Sequence, residues 1–185
     1  LLLITGKYQF TVDAKRRVNI PAPAMLELFK QTQAYAETGG VVTKDSEAFK
    51  RFKESDVTFH ITRGPNDCLF VYPRDVFMEK AARLNSHFGS RGTQDDEERR
   101  YFLETMADAM PVRCDQQGRV TVPGEHLDYA GIESQVLVIG AFDHLEFWSP
   151  ELYDTFISGS KVSPQDRVKK FGWAERDARP PENSQ

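Results

Sequence analysis

The chain has 185 residues, enough for one or two domains with a sizeable core, and its 39% apolar and 28% charged residues match ordinary globular proteins. A net charge of −4 excludes a surface that is basic all over, so any contact with nucleic acid has to be local. Two cysteines, Cys68 and Cys114, are too few for a disulfide framework and lack zinc-ligand spacing; they read as reduced core residues in a cytosolic protein. No apolar run approaches membrane-spanning length, and the opening Leu-Leu-Leu-Ile is too short for a signal-peptide core. The chain begins on Leu1, which leaves the native start open.

Residues 7–12 read as a strand entering a turn, and Pro21-Ala22-Pro23 suits a helix start, because proline tolerates the first helical turn. Residues 24–29 then carry Met25, Leu26, Leu28 and Phe29 on a short packed helix. The stretch 31–56 holds Gly39-Gly40 and a helical turn at 46–53, capped by Asp45 or Ser46; it is expected to be a solvated excursion. Strands resume at 57–63 and 68–72 around the turn Gly64-Pro65-Asn66-Asp67. Residues 73–85 read as a helix with Val76, Phe77, Ala81 and Leu84 inward. Thr93 is expected to cap the next one, with Asp95 to Glu98 in its first turns and Phe102, Leu103 and Met106 buried. A strand to Cys114, a turn, a strand through Val122, a brief helix ending at Gly131 and a hairpin over 136–148 follow. A helix then carries Leu152, Phe156 and Ile157, and 158–185 reads as a flexible C-terminal tail.

One unit is written twice. Val12-Asp13-Ala14-Lys15-Arg16-Arg17-Val18-Asn19-Ile20-Pro21 returns as Cys114-Asp115-Gln116-Gln117-Gly118-Arg119-Val120-Thr121-Val122-Pro123. In both, Asp and Arg bracket three turn-prone residues, and an apolar-polar-apolar triplet continues as a half-buried strand. A second landmark, Gly64-x-x-Asp67-x-Leu69, repeats as Gly140-x-x-Asp143-x-Leu145. The landmark aspartates are 54 positions apart in the first copy and 28 in the second, so the first carries a 26-residue insertion.

The doubled Asp-x-x-x-Arg-apolar-x-apolar-Pro pattern resembles the MraZ family of bacterial transcriptional regulators. So do Gly6-x-Tyr8, Cys68-Leu69-Phe70-Val71-Tyr72-Pro73, Tyr129-Ala130-Gly131, and Val138-Ile139-Gly140 leading to Asp143-His144-Leu145-Glu146-Phe147-Trp148. The resemblance spans about residues 6–157 without the insertion. It implies an α+β chain of tandem swapped-hairpin, β-barrel-like domains of the AbrB type, forming an internal pseudo-dimer with short connecting helices. The expected bounds are 6–75 for the first domain with its insertion at about 31–56, 76–110 for connecting helices, and 111–154 for the second domain. The resemblance further implies a ring-shaped homo-oligomer, cytoplasmic and nucleoid-associated, that binds repeated boxes in the promoter of its own division and cell-wall gene cluster. Its DNA-reading surface would be the two turns, at Asp13 and Arg17 and at Asp115 and Arg119. The first turn departs from the pattern: Arg16 stands where the second has Gly118, so either its shape differs or a strained backbone is kept for an added phosphate contact.

From the residues themselves, Lys15, Arg16, Arg17 and Lys7 in the first copy, with Arg119 and Arg113 in the second, are candidate DNA contacts. An arginine fork takes two acceptors, whereas a lysine meets a phosphate as a point charge. Asp13, Asp115 and Gly118 are candidate turn-bracing residues. Spacing equally allows Asp and Arg to be only an ion pair, which leaves a protein-interaction module, antitoxin-like or a ring scaffold, as the alternative. No nucleophile motif, metal-binding histidine pair or cofactor signature appears, so an enzyme is not expected. His60, His87, His126 and His144 are scattered, and Phe70, Tyr72, Phe147 and Trp148 are expected in packing.

Overall fold

The computed structural model describes residues 2–40, 42–89 and 96–171. It is a mixed α+β structure whose sheets are antiparallel. The first copy supplies β1 (Lys7–Thr11), β2 (Arg17–Asn19) and α1 (Ala22–Phe29). Pro21 caps α1 and Pro23 sits in its first turn, where a missing N–H costs no intrahelical bond. The insertion contributes α2 (Gln33–Ala36) and α3 (Glu47–Glu54), and β3 (Thr58–Arg63) and β4 (Leu69–Pro73) complete the copy. Helices α4 (Arg74–Gly89) and α5 (Asp96–Asp108) lead to the second copy: β5 (Met110–Arg113), β6 (Arg119–Thr121), α6 (Gly124–Tyr129), β7 (Gln135–Ala141) and β8 (His144–Trp148). Helices α7 (Pro150–Ser158) and α8 (Pro164–Phe171) follow.

Six strands make one sheet in the order β1-β7-β8-β4-β3-β5, and β2 pairs with β6 in a second sheet. The copies are thereby interleaved. The first strand of each copy bonds to the third strand of the other, β1 to β7 and β5 to β3, and the closing strands β4 and β8 meet at the centre. Register reveals an approximate two-fold relation. Val18 faces Val120 with Arg17↔Thr121 and Asn19↔Arg119 on either side; Phe70 faces Glu146 with Leu69↔Phe147 and Val71↔Leu145 on either side. One compact unit extends to Tyr153 and contains both copies, and a second begins at Asp154.

The core lies where the small sheet meets the inner face of the large one. Val18, Val71, Val120, Leu145 and Phe147 are wholly buried, and each such side chain contributes about 1.5–3 kcal/mol relative to exposure. Alternation explains the strands: in β4, Leu69 and Val71 enter the core while Phe70 and Tyr72 take the opposite face. Phe147 and Trp148 are buried, and Phe70 and Tyr72 are half-buried against the His144 ring. Both cysteines are buried and free, and burial pushes each thiol up to about 12.

Four sequence expectations need correction. The insertion is not a solvated excursion: Phe49 of α3 is 2% exposed, and Phe49 and Phe52 lie 5.7 and 5.3 Å from the Phe29 ring. An i,i+3 aromatic pair on an otherwise charged helix finds α1 as its partner, and hydrophobic burial does not depend on sequence distance. Ser46 occupies the α3 N-cap position, but its hydroxyl donates to the Thr43 carbonyl instead of capping. Leu103 on α5 is half exposed, because α5 packs only one side on β3; Thr93 and Asp95 lie outside the described residues. Within the segment expected to be a flexible tail, 164–171 form α8, where Ser163 Oγ accepts from Asp166 N and donates to its carboxylate. Residues 172–185 lie outside the described residues.

Candidate functional site

The pairing of β2 with β6 holds the two Asp-x-x-x-Arg turns side by side, with Arg17 and Arg119 as diagonal neighbours roughly 7–8 Å apart. The turns have the same internal geometry. Asp13 Oδ1 accepts from Lys15 N at 2.9 Å and Arg17 N at 3.0 Å, while Oδ2 accepts from Arg17 Nε at 2.7 Å. Asp115 Oδ1 accepts from Gln117 N at 3.0 Å and Arg119 N at 2.9 Å, and Oδ2 from Arg119 Nε at 2.9 Å. Nη2 of each arginine reaches the same Oδ2, at 2.6 and 2.7 Å. Backbone bonds close the loops: Arg16 N donates to the Asp13 carbonyl and Gly118 N to that of Asp115.

These bonds set the charge states. The Arg17 side chain and the turn amides hold the Asp13 carboxyl at about 2. Burial raises Asp115, but bonds from Arg119 and the turn amides outweigh it and leave this carboxyl below its ordinary value. Both aspartates are therefore anionic at neutral pH, and each fixes its arginine. The two arginine side chains remain 27% and 23% exposed. With Nε–H and one Nη2 hydrogen engaged, a guanidinium still has three N–H donors, enough for a second fork. Arg17 Nη1 also approaches Asp115 Oδ2 at 3.9 Å, which links the two turns.

Arg16 adopts φ 59° and Gly118 φ 80°, so the first turn keeps the left-handed shape without a glycine. The turns also lock onto each other: Val122 N donates to the Arg16 carbonyl at 2.9 Å, and Ile20 N to that of Gly118 at 2.8 Å. Changing the shape of the first turn would break this reciprocal pair. The Arg16 guanidinium passes over α6, where Nη1 lies 2.9 Å from the position of a Cβ on Gly124. Ala14, Lys15 and Arg16 at the first tip, and Gln116 and Gln117 at the second, are exposed.

The remaining candidates divide. Arg113 stands just before the second turn and pairs with Asp56 at 3.2 Å. Lys7 does not join the cluster: β1 is extended, so six positions separate it from Asp13 by about 20 Å, and its Nζ lies 4.3 Å from the Tyr153 ring. Asp56 and Lys53 border the second turn, which no spacing in the sequence indicates, since they lie about 60 positions away. His60 lies in β3 and stacks on Phe77 at 4.2 Å; burial and then Arg74 lower its pKa. His126 is wholly buried and contacts the Asp108 carbonyl oxygen at 3.0 Å. Among the described residues, no group of three or more His, Cys, Asp or Glu has the geometry to hold a metal ion, and no helix is long and apolar enough to cross a membrane.

Comparison with known proteins extends this picture. Residues 106–170 match the family described as "MraZ protein, putative antitoxin-like". A protein of Nocardioides sp. named transcriptional regulator MraZ is 33% identical over 103 residues, covering 55% of this chain and 68% of its own. Proteins of the same name from Lachnoclostridium phytofermentans and Thermoanaerobacter sp. are 25% and 29% identical over 171 and 163 residues, 92% and 87% of this chain and 98% and 91% of theirs. The chain, with its Asp-x-x-x-Arg turn written twice, belongs to the MraZ family.

Proposed function

We propose that the chain is a sequence-specific, DNA-binding transcriptional regulator, and that its paired turns are the surface that meets the duplex. The observation that carries this reading is the juxtaposition of two arginine forks, each clamped by its own aspartate, beside the exposed Lys15 and Arg16. An arginine held in place before binding loses less side-chain freedom when it takes two acceptors on a base edge or a phosphate. Arg17 and Arg119 read or grip the groove, Lys15 and Arg16 meet phosphates, and Arg113 flanks the second turn. Asp13, Asp115 and Gly118 maintain the turn shape. The relatives' shared name, transcriptional regulator, supports the same assignment.

In this reading the interleaved strands are two AbrB-type swapped hairpins joined in one chain as a pseudo-dimer. Two turns contact few phosphates and bind weakly alone. Self-association into a ring would present several copies to repeated promoter boxes and raise affinity about 100-fold or more through effective concentration. Exposed Met78, Tyr101 and Leu103 on α4 and α5 offer apolar surface for such contacts. The target boxes lie upstream of the chain's own division and cell-wall gene cluster.

The test is a footprint and a titration with the purified chain on DNA upstream of its own gene. The regulator protects boxes at regular spacing, and its affinity falls linearly with salt on logarithmic axes, by about 0.9 per phosphate engaged. The double variant Arg17→Ala, Arg119→Ala loses DNA but keeps its oligomer. A flat salt response, or a variant that loses assembly or nothing at all, would identify a scaffold or antitoxin-like module instead.

A further inference from the structure

The two turns differ in charge: the first offers Lys15 and Arg16 at positions where the second has Gln117 and Gly118. The structure also surrounds them differently. Val12 N donates to the Ser134 carbonyl beside the first turn, whereas Cys114 N donates to that of Val57 beside the second. Val57 directly follows the insertion, while the equivalent connection of the second copy passes from α6 to β7 with no added residues. The insertion therefore ends against the second turn. There the last turn of α3 and the residues after it share an open groove of about 360 Å³ with that turn, bordered by Lys53, Asp56, Arg113, Gln116, Gln117 and Arg119.

Charge within the groove is partly spent. Arg119 is bound to Asp115 and Arg113 to Asp56. Lys53 has no carboxylate within 4 Å among the described residues, and its Nζ lies 5.5 Å from the ring of Phe49, whose burial anchors α3. Glu54 is the opposing acid, but it is exposed and screened by solvent, whereas Lys53 is half-buried and screened less. We propose that the insertion equips the second turn with the phosphate contact its own loop lacks: Lys53 binds the DNA backbone beside Arg119, and Asp56 tempers that surface by holding Arg113. This rests on the reading of the turns as the DNA surface.

The experiment is a salt titration of the full chain against a fluorescein-labelled duplex enriched from a random-sequence pool by the unaltered protein, with melting temperature as a control for folding. One lost phosphate contact makes the log–log slope shallower by about 1 for each engaged chain and weakens binding about five-fold at 0.15 M salt. Lys53→Gln gives that loss. Lys50→Gln, on the same helix but paired with Glu47, leaves binding and slope unchanged. Asp56→Asn frees Arg113 and tightens binding two- to five-fold. If Arg119→Ala weakens binding while Lys53→Gln keeps the original slope, or if Asp56→Asn weakens binding, the role of the insertion is overturned and the turns remain the DNA surface. If Arg17→Ala and Arg119→Ala also leave binding intact, the turn reading fails and this proposal falls with it.

Discussion

Replacing Arg16 by glycine separates backbone strain from charge at the first turn. Arg16 sits at φ 59°, where a side chain with a Cβ costs about 1 kcal/mol more than glycine; Gly118 occupies the matching place at φ 80°. The Arg16 side chain is exposed, and its contact over Gly124 involves the far end of a flexible chain, so little packing opposes the change. Arg16→Gly is therefore expected to stabilise the fold by about 1 kcal/mol, a rise in Tm of roughly 2–4 °C for a unit of this size. The converse, Gly118→Ala, places a Cβ with nothing within 4 Å, so its cost is the backbone cost alone, again about 1 kcal/mol. Urea unfolding followed by circular dichroism measures both. A destabilised Arg16→Gly, or a neutral Gly118→Ala, would refute the claim that both turns share one strained conformation. On the proposed function, Arg16→Gly also weakens DNA binding while strengthening the fold, a pairing that a purely structural turn would not produce.

Truncating Phe49 to alanine removes a wholly packed ring between α1 and α3 and is expected to cost about 3–5 kcal/mol in chemical unfolding, against a fraction of that for an excursion lying in solvent. The Asp13 carboxyl, held at about 2 when folded and 3.8 otherwise, stabilises the turn fully above pH 3.8, and that contribution is lost as pH falls through 2. Carboxyl-carbon NMR should find its midpoint near 2, and a midpoint near 3.8 would mean that the clamp on Arg17 is open in solution.

The sequence by itself determined the turns, because every bond that defines them closes within five residues: Asp13 to Lys15 and Arg17, Asp115 to Gln117 and Arg119. It likewise determined the short strands, since alternation records which side chains face a core, and the repetition recorded that two equivalent units exist. What it did not carry was which partner each unit would meet. The bonding of β1 to β7 and of β5 to β3, the shared conformation of Arg16 and Gly118, and the burial of Phe49 became visible only in the folded chain. So did the distance of Lys7 from the turns and the arrival of Lys53 and Asp56 beside the second one. The reason is physical: local hydrogen bonds are written in spacing, whereas hydrophobic burial is non-directional and strand pairing joins segments more than a hundred residues apart.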